Sequence, residues 1–177
     1  MPAVHPSKDF AFVSSLESAF DAIRTEFRAL PREVFVESLD SLTTVSPPYD
    51  ETGWRYFDLF GAGEFAGNRA LCPQTAAAVQ KVPGLVNAGL SLFQPGTHLY
   101  PHGGEMKGVL RCHLPLQVPE GDVALLIDGR EERWSEGRCL VFDDTYEHEA
   151  WNRADSDRVL LLVTFTHPET KTARTPC

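Results

Sequence analysis

Two histidines in the C-terminal half of the chain stand where they could bind a metal ion. His102 lies in Pro101-His102-Gly103-Gly104, at a predicted strand end. A lone histidine in a loop is usually a surface residue, but the glycines leave room for a ligand beside its imidazole. His148 follows the apolar run that ends at Phe142, in a segment rich in polar groups. An early and a late histidine on neighbouring strands are typical of a mononuclear iron site in a β-barrel, because imidazole suits Fe(II) and open coordination positions admit a cosubstrate and oxygen.

A second cluster could bind an anion. In the run Val109–Leu114 polar and apolar residues alternate, so Arg111 and His113 face one way and the apolar residues face the other. If the apolar face packs against the helices, a cation and an imidazole point into the barrel. A buried guanidinium without a partner is costly, so Arg111 requires an anion, either a ligand or one of the chain's many carboxylates in a structural salt bridge.

Arg158 raises the same question at the start of the apolar run Val159–Val163. It is either solvated at the strand end or paired with a carboxylate inside the barrel. The guanidinium presents parallel donors that match a carboxylate, which makes arginine the expected residue for binding a dicarboxylic acid.

The elements that must position these residues fall into two parts. Upstream, Lys8–Leu30 predicts one amphipathic helix that ends before Pro31, and the strand-like Trp54–Phe60 precedes a second helical stretch, Pro73–Val82. From Leu90 onward, short apolar runs separated by turn residues predict an antiparallel sandwich or barrel. These runs are Leu90–Gln94, Val109–Leu116, Val123–Ile127, Cys139–Phe142 and Val159–Phe165. We therefore predict a single domain over residues 1–177, with helices first, a β core after them, and a loose tail at 169–177.

Composition narrows the classes of function. The chain has 177 residues, 42% of them apolar, and a net charge of −9, which argues against a nucleic-acid partner. Its apolar runs are of strand length and its start lacks the pattern of a signal peptide, so we expect neither membrane insertion nor export. Four scattered cysteines without a CxxC pair indicate reduced thiols in the cytoplasm, so any metal must be bound by histidines.

Four blocks, in order, resemble a known family. They cover about two-thirds of the chain, from about residue 53 to 168, and resemble the catalytic domain of the aspartyl/asparaginyl β-hydroxylases, a branch of the Fe(II)/2-oxoglutarate oxygenases. The blocks are Ser91–His98 running into Pro101–Gly104, Leu110–Leu114, Trp134–Gly137 followed by Leu140–Asn152, and Arg158 opening a strand that closes with His167-Pro168.

The resemblance implies a mainly β fold, a double-stranded β-helix (a jelly-roll, cupin-like barrel) with supporting N-terminal helices. It implies that His102 and His148 hold Fe(II) and carry the catalysis. It also implies that 2-oxoglutarate binds with its far carboxylate on Arg158 and Ser91, and with its near carboxylate on Arg111 and His113.

The implied activity is that of a dioxygenase that consumes O2 and 2-oxoglutarate, releases succinate and CO2, and hydroxylates an unactivated carbon. We expect an amino-acid, peptide or related small substrate, and the oligomeric state is left open. Two alternatives are an iron/2-oxoglutarate halogenase (or another oxidation at the same site) and a non-catalytic cupin-like binding module. A binding module has no need for both an iron pair and a diacid anchor, which favours the oxygenase.

The position two residues after His102 is Gly104, where most such oxygenases supply a carboxylate ligand. The resembled family shares this absence, and water, chloride or Glu105 could fill the vacant position. The resemblance makes Asp143 and Asp144 structural residues, and Trp151 is expected to wall the site. Candidates for orienting the ligand histidines are Glu147, Glu149 and Asn152.

Overall fold

The fold is built from two antiparallel β-sheets with helices on the outer face of the larger one. The computed structural model describes residues 2–37, 49–50 and 53–168. The strands in this part of the chain are β1 (Val4–His5), β2 (Val36–Glu37), β3 (Tyr49–Asp50), β4 (Trp54–Phe60), β5 (Leu85–Phe93), β6 (His98–His102), β7 (Val109–Gln117), β8 (Val123–Ile127), β9 (Arg130–Glu132), β10 (Leu140–Phe142), β11 (His148–Asn152) and β12 (Arg158–Thr166). The α-helices are α1 (Ala11–Ser18), α2 (Phe20–Ala29), α3 (Ala66–Leu71) and α4 (Pro73–Val79).

The larger sheet has the strand order β1-β10-β7-β12-β5-β4-β2, and the smaller sheet has the order β3-β6-β11-β8-β9. Apolar residues from both sheets form one interior cluster, in which Phe93 and Leu160 of the larger sheet pack with Leu99, Leu125 and Ala150 of the smaller. Two facing antiparallel sheets connected in this order form a double-stranded β-helix. The predicted fold class is confirmed.

Alternation along β7 and β12 gives the larger sheet one face toward the helices and one toward the interior. The first face includes Leu110, Cys112, Leu161 and Val163, which join a cluster with helix residues such as Leu16. The intervening positions therefore point between the sheets, and these positions include Arg111, His113 and Arg158. The predicted apolar face of β7 does pack against the helices.

The N-terminal helix is interrupted where the sequence predicts a continuous one. A break at Ala19 separates α1 from α2, because the Ala19 amide is shared between the carbonyls of Ser15 and Leu16 and tightens the last turn of α1. Ile23 N–H still donates to Ala19 O at 3.0 Å, so the chain resumes its helical path at once.

The second helical stretch begins at Pro73 as predicted and ends at Val79, and α3 before it is not predicted. The tail predicted at 169–177 lies outside the described residues.

Cysteine chemistry and helix length bear on the expected location of the protein. Cys72, Cys112 and Cys139 are free thiols. In the described ranges, no helix has the length and apolar character needed to cross a membrane. The cytoplasmic location stays a prediction.

Candidate active site

A cavity of about 620 Å³ opens between the two sheets. Strands of both sheets contribute to its wall, because residues that alternate inward on each sheet face the same space. The six predicted site residues all line it: Ser91, His102, Arg111, His113, His148 and Arg158. The structure thus brings together residues spread over 68 positions of sequence.

The two predicted metal ligands are neighbours on β6 and β11. His102 is paired with His148 in the strand register, and their ring centroids lie 4.1 Å apart. In each ring Nδ1 lies 2.8 Å from the carbonyl oxygen of the residue two positions earlier, Tyr100 for His102 and Tyr146 for His148. A carbonyl only accepts, so Nδ1 carries the proton in both rings. In the neutral form of each ring, Nε2 is then the nitrogen that can offer its lone pair to a metal ion.

A register shift in the smaller sheet lets His102 face the cavity. His148 pairs with His102, but Ala150 pairs with Leu99, so β6 contains one residue more than β11 over this interval. The extra residue changes the alternation of β6, and Leu99 and His102 both line the cavity although three positions separate them. Without this bulge, one of the two side chains would face away from the site.

Burial keeps His148 neutral. Loss of water, and after it charge repulsion from the nearby His102, lowers its pKa to about 4. A neutral imidazole is the form that binds a metal ion. The donor atoms of both rings, the protonation of both Nδ1 atoms and the neutral state of His148 therefore fit a divalent iron.

Gly104 explains why the chain supplies no carboxylate at the usual third position. A Cβ atom added to Gly104 would lie 2.6 Å from Cγ of Asp144, so any side chain there requires Asp144 to move. Glu105 is exposed and does not line the cavity. Within the described residues no group of three His, Cys, Asp or Glu side chains is arranged to hold a metal ion. The described residues therefore offer a possible metal ion two histidines and no third side chain.

Arg158 is not solvated at the strand end, and none of the described carboxylates pairs with it, so a pairing inside the barrel is left to a ligand. It is 2% exposed, and its guanidinium carbon lies 3.7 Å from the ring centroid of Phe93 and 5.0 Å from that of Trp134. Its Nε has no hydrogen-bond partner in the part of the chain that the structure describes. Burial lowers the pKa of the guanidinium, because the charged form is desolvated. An anion in the cavity would supply the missing partner.

Ser91 lies on the neighbouring strand. Its Oγ accepts a hydrogen bond from Nε1 of Trp54 at 3.2 Å, which leaves the hydroxyl proton available to a second group. Ser91 pairs with Leu160, next but one to Arg158 on β12, so the hydroxyl and the guanidinium share the interior face. Together they can bind one carboxylate.

His113 is held in one tautomer. Nε1 of Trp134 lies 3.3 Å from Nδ1 of His113, and an indole N–H only donates, so Nδ1 is unprotonated and Nε2 carries the proton. Burial lowers the pKa of His113 well below its usual value, and the charges of Arg158 and Arg111 lower it further. His113 is therefore a neutral donor, suited to an acceptor oxygen.

Arg111 forms the structural salt bridge that the sequence offered as an alternative. Nε donates to Oδ2 of Asp144 at 2.6 Å, and Nη1 donates to Oγ1 of Thr164. Asp144 is the residue that occupies the space beside Gly104, and its other oxygen, Oδ1, is buried with no hydrogen-bond partner among the described residues. Asp144 thus holds Arg111 in place and fills the space beside position 104. It is a structural residue, as expected, and it also lies in the cavity wall.

Two sequence expectations about the surroundings of the site are wrong. Trp151 does not line the cavity, because His148 and Ala150 face inward and the residue between alternates outward, where its Nε1 donates to Asp122. The ligand histidines are oriented by backbone carbonyls. Two of the side chains expected to orient these histidines have other partners. Glu149 pairs with His98, and Asn152 donates to the carbonyls of Phe93 and Ser156.

The remaining wall of the cavity is not predicted from the sequence. It is mainly apolar, with one carboxylate and one amide among its side chains: Tyr56, Asp58, Phe60, Phe65, Val86, Asn87, Met106 and Leu162. Alternation along β4 was the available signal, since Trp54, Tyr56, Asp58 and Phe60 all fall on its inward face.

The fold is thus a cupin-like double-stranded β-helix whose cavity is lined by a histidine pair and a buried guanidinium. Comparison with known proteins narrows this class. The family model "Aspartyl/Asparaginyl beta-hydroxylase" matches residues 17–168. The chain belongs to the aspartyl/asparaginyl β-hydroxylase family, as the motifs indicated.

The names of individual relatives refer to different substrates. The chain is 42% identical to an ornithine lipid ester-linked acyl 2-hydroxylase of Rhizobium tropici, over 98% of this chain and 63% of the relative. It is 32% identical to human aspartyl/asparaginyl beta-hydroxylase, over 89% of this chain and 21% of the relative. A Pseudomonas putida prolyl-4-hydroxylase has the same fold, with a TM-score of 0.53 at 16% identity, covering 88% of this chain and 98% of that structure.

Proposed function

We propose that the protein is an Fe(II)- and 2-oxoglutarate-dependent dioxygenase that hydroxylates an unactivated carbon. The observation that supports this most is the conjunction of two features in one cavity. His102 and His148 lie side by side with Nδ1 of each ring bonded to a carbonyl, which leaves Nε2 for a metal ion, and Arg158 is buried in the same wall with no anion from the described chain paired to it. A metal site needs only the first, and a carboxylate site needs only the second. A keto-acid cosubstrate bound to iron needs both.

The chain's own residues divide the work of binding. His102 and His148 hold the iron, which when bound supplies the activation of O2 that hydroxylation requires. Arg158 and Ser91 bind the far carboxylate of 2-oxoglutarate. Nε2–H of His113 donates to the near carboxylate, and its fixed tautomer means that no proton has to move before the cosubstrate binds.

Arg111 acts beside His113 on the near carboxylate. Its Nε and Nη1 are held by Asp144 and Thr164, which leaves Nη2 as the donor for a ligand. The apolar walls, including Phe142 and Leu125, exclude water from the reacting carbon. In the overall reaction one oxygen atom of O2 enters the substrate as hydroxyl, the other enters succinate, and the keto acid loses CO2.

An anaerobic titration tests this proposal. Protein freed of metal is titrated with Fe(II) and 2-oxoglutarate, and the weak visible charge-transfer band of the chelated keto acid is recorded. We expect the band in the wild type and its loss in His102→Ala. The matched control is His98→Ala, which removes a histidine of the same strand that pairs with Glu149, and it should keep the band. A folded, metal-loaded wild type without the band would contradict the cosubstrate assignment.

The sequence predicts an amino-acid, peptide or related small substrate, and the cavity favours one that carries an acyl chain. The cavity wall beyond the six predicted site residues is largely apolar, which suits an acyl chain. The similarity to an ornithine lipid acyl hydroxylase supports the same choice. Acyl-bearing lipids should therefore gain one oxygen in a 2-oxoglutarate-dependent manner, measured by mass spectrometry. Gain of chlorine in its place would favour the halogenase.

A further inference from the structure

Asp58 is a carboxylate in an apolar part of the cavity. It lies on the inward face of β4 and lines the cavity with Phe60, Phe65 and Leu162. Burial raises the pKa of its carboxyl group, and no cation of the described chain lowers it. Among the described residues none donates a hydrogen bond to its side chain or pairs with it, although its backbone carbonyl accepts from Asn68. The fold keeps a partly desolvated carboxylate without a partner, at a cost in stability.

This carboxylate is well separated from the residues proposed to bind the iron and the near carboxylate of 2-oxoglutarate. The register places Asp58 beside Gly89, Gly89 beside Leu162, and Leu162 beside His113. Asp58 is thus three strands from His113, about 14 Å at a strand spacing of ~4.8 Å. It lies too far away to bind iron or the near carboxylate of 2-oxoglutarate, and it faces space left for the substrate.

We propose that Asp58 binds a protonated amine of the substrate, and that the substrate is an amphiphile with a cationic amine group and an apolar chain. The inference rests on the proposed oxygenase function for its reaction, and it adds the charge of the substrate. A carboxylate with accessible oxygens in apolar surroundings favours an ammonium ion, because the ion pair is only weakly screened there. The neighbouring side chains of Phe60, Phe65 and Val86 provide apolar contact for the chain.

The loop beside Asp58 keeps this part of the cavity apolar. A Cβ atom on Gly63 would lie 2.6 Å from the Phe65 ring, so glycine at this position lets the ring pack directly on the loop. Glu64, between them, is exposed and does not line the cavity. Asp58 and Glu64 are therefore nearby acidic residues of which only Asp58 lines the cavity.

The test compares decylamine with decanol, which share a chain and differ in charge at neutral pH. Binding to the wild type, loaded with Fe(II) and 2-oxoglutarate without oxygen, is followed by the fluorescence of Trp54 and Trp134, which line the cavity. We expect about tenfold tighter binding of the amine, the size of one charge-assisted hydrogen bond. Asp58→Asn should remove this preference with decanol binding unchanged, and Glu64→Gln should retain it.

Equal binding of amine and alcohol by the wild type would overturn the inference, and so would a preference that survives Asp58→Asn. The wild-type comparison needs no variant, so it holds even if a variant folds poorly. The charge-transfer band is recorded in the same samples. A missing band with the amine preference intact would refute the oxygenase function and leave the Asp58 site standing. A normal band without the preference would refute the amine site alone.

Discussion

Replacing Arg158 by Met should stabilise the protein and abolish its binding of 2-oxoglutarate. Most residues of a binding site contribute little to stability, but Arg158 is 2% exposed and its Nε has no partner in the described structure. Met has a similar length and no charge, so the substitution keeps the packing and removes the desolvated cation. Damage to the fold would lower both the stability and the binding of 2-oxoglutarate, so a rise in stability with a loss of binding could not result from it.

The magnitudes follow from the contacts of Arg158. Burial of an ion without a partner costs several kcal/mol, and the ring contacts with Phe93 and Trp134 offset about 1 kcal/mol each. We therefore expect the free energy of unfolding without ligand to rise by about 1–3 kcal/mol. For a chain of this size the melting temperature should rise by about 2–10 °C. In contrast, 2-oxoglutarate at a hundred times its Kd should stabilise the wild type by about 2.7 kcal/mol and the variant hardly at all.

Chemical denaturation of the metal-free protein with and without 2-oxoglutarate measures both effects. The matched control is Arg111→Met. Because Arg111 is paired with Asp144, that substitution leaves a buried carboxylate unpaired and should destabilise the protein by about 1–3 kcal/mol. If Arg158→Met destabilises the protein as Arg111→Met does, Arg158 has a partner in the folded protein and the reasoning fails. Undiminished stabilisation by 2-oxoglutarate would place the anchor elsewhere.

Three further predictions concern the iron pair and its surroundings. His148→Ala should abolish Fe(II) binding with the circular dichroism of the fold unchanged, and Fe(II) bound as tightly as before would remove it from the ligand set. Gly104→Ala should lower the free energy of unfolding by about 1–3 kcal/mol in thermal denaturation, because its Cβ would overlap Asp144; an unchanged stability would show that Asp144 moves freely. The pKa of His113 is lowered in the folded state, so below about pH 6.5 the unfolded state binds more protons and stability falls as pH falls, by up to about 1.4 kcal/mol per pH unit. In His113→Asn this contribution should be absent, and parallel pH profiles of the two proteins would count against a buried neutral His113.

The sequence predicts the interior of the larger sheet well, because its strands obey a simple period. Arg111 and His113 sit two apart in a run whose other members are apolar, and that pattern alone places them opposite the helices. The start of the apolar run at Val159 likewise locates Arg158 at its border, although its burial also depends on Phe93 and Trp134, which are distant in sequence.

The smaller sheet is harder to predict from its residues. The inward direction of His102 depends on a register shift against β11, and no residue type marks that shift in advance. The partners of the ligand histidines are backbone carbonyls, which every residue possesses. The pairing of Asp144 with Arg111 joins a turn residue to a strand residue 33 positions earlier, and local patterns carry no signal for it.

The packing of Gly104 on Asp144 makes these two positions interdependent. A carboxylate ligand at 104 would require a smaller residue at 144, yet removing Asp144 first would leave Arg111 without its partner. Either order of substitution passes through a less stable protein, so the effects of the two changes are strongly non-additive. A lineage could therefore gain a third protein ligand at this site only by passing through a less stable protein. This loss of stability opposes the change in evolution.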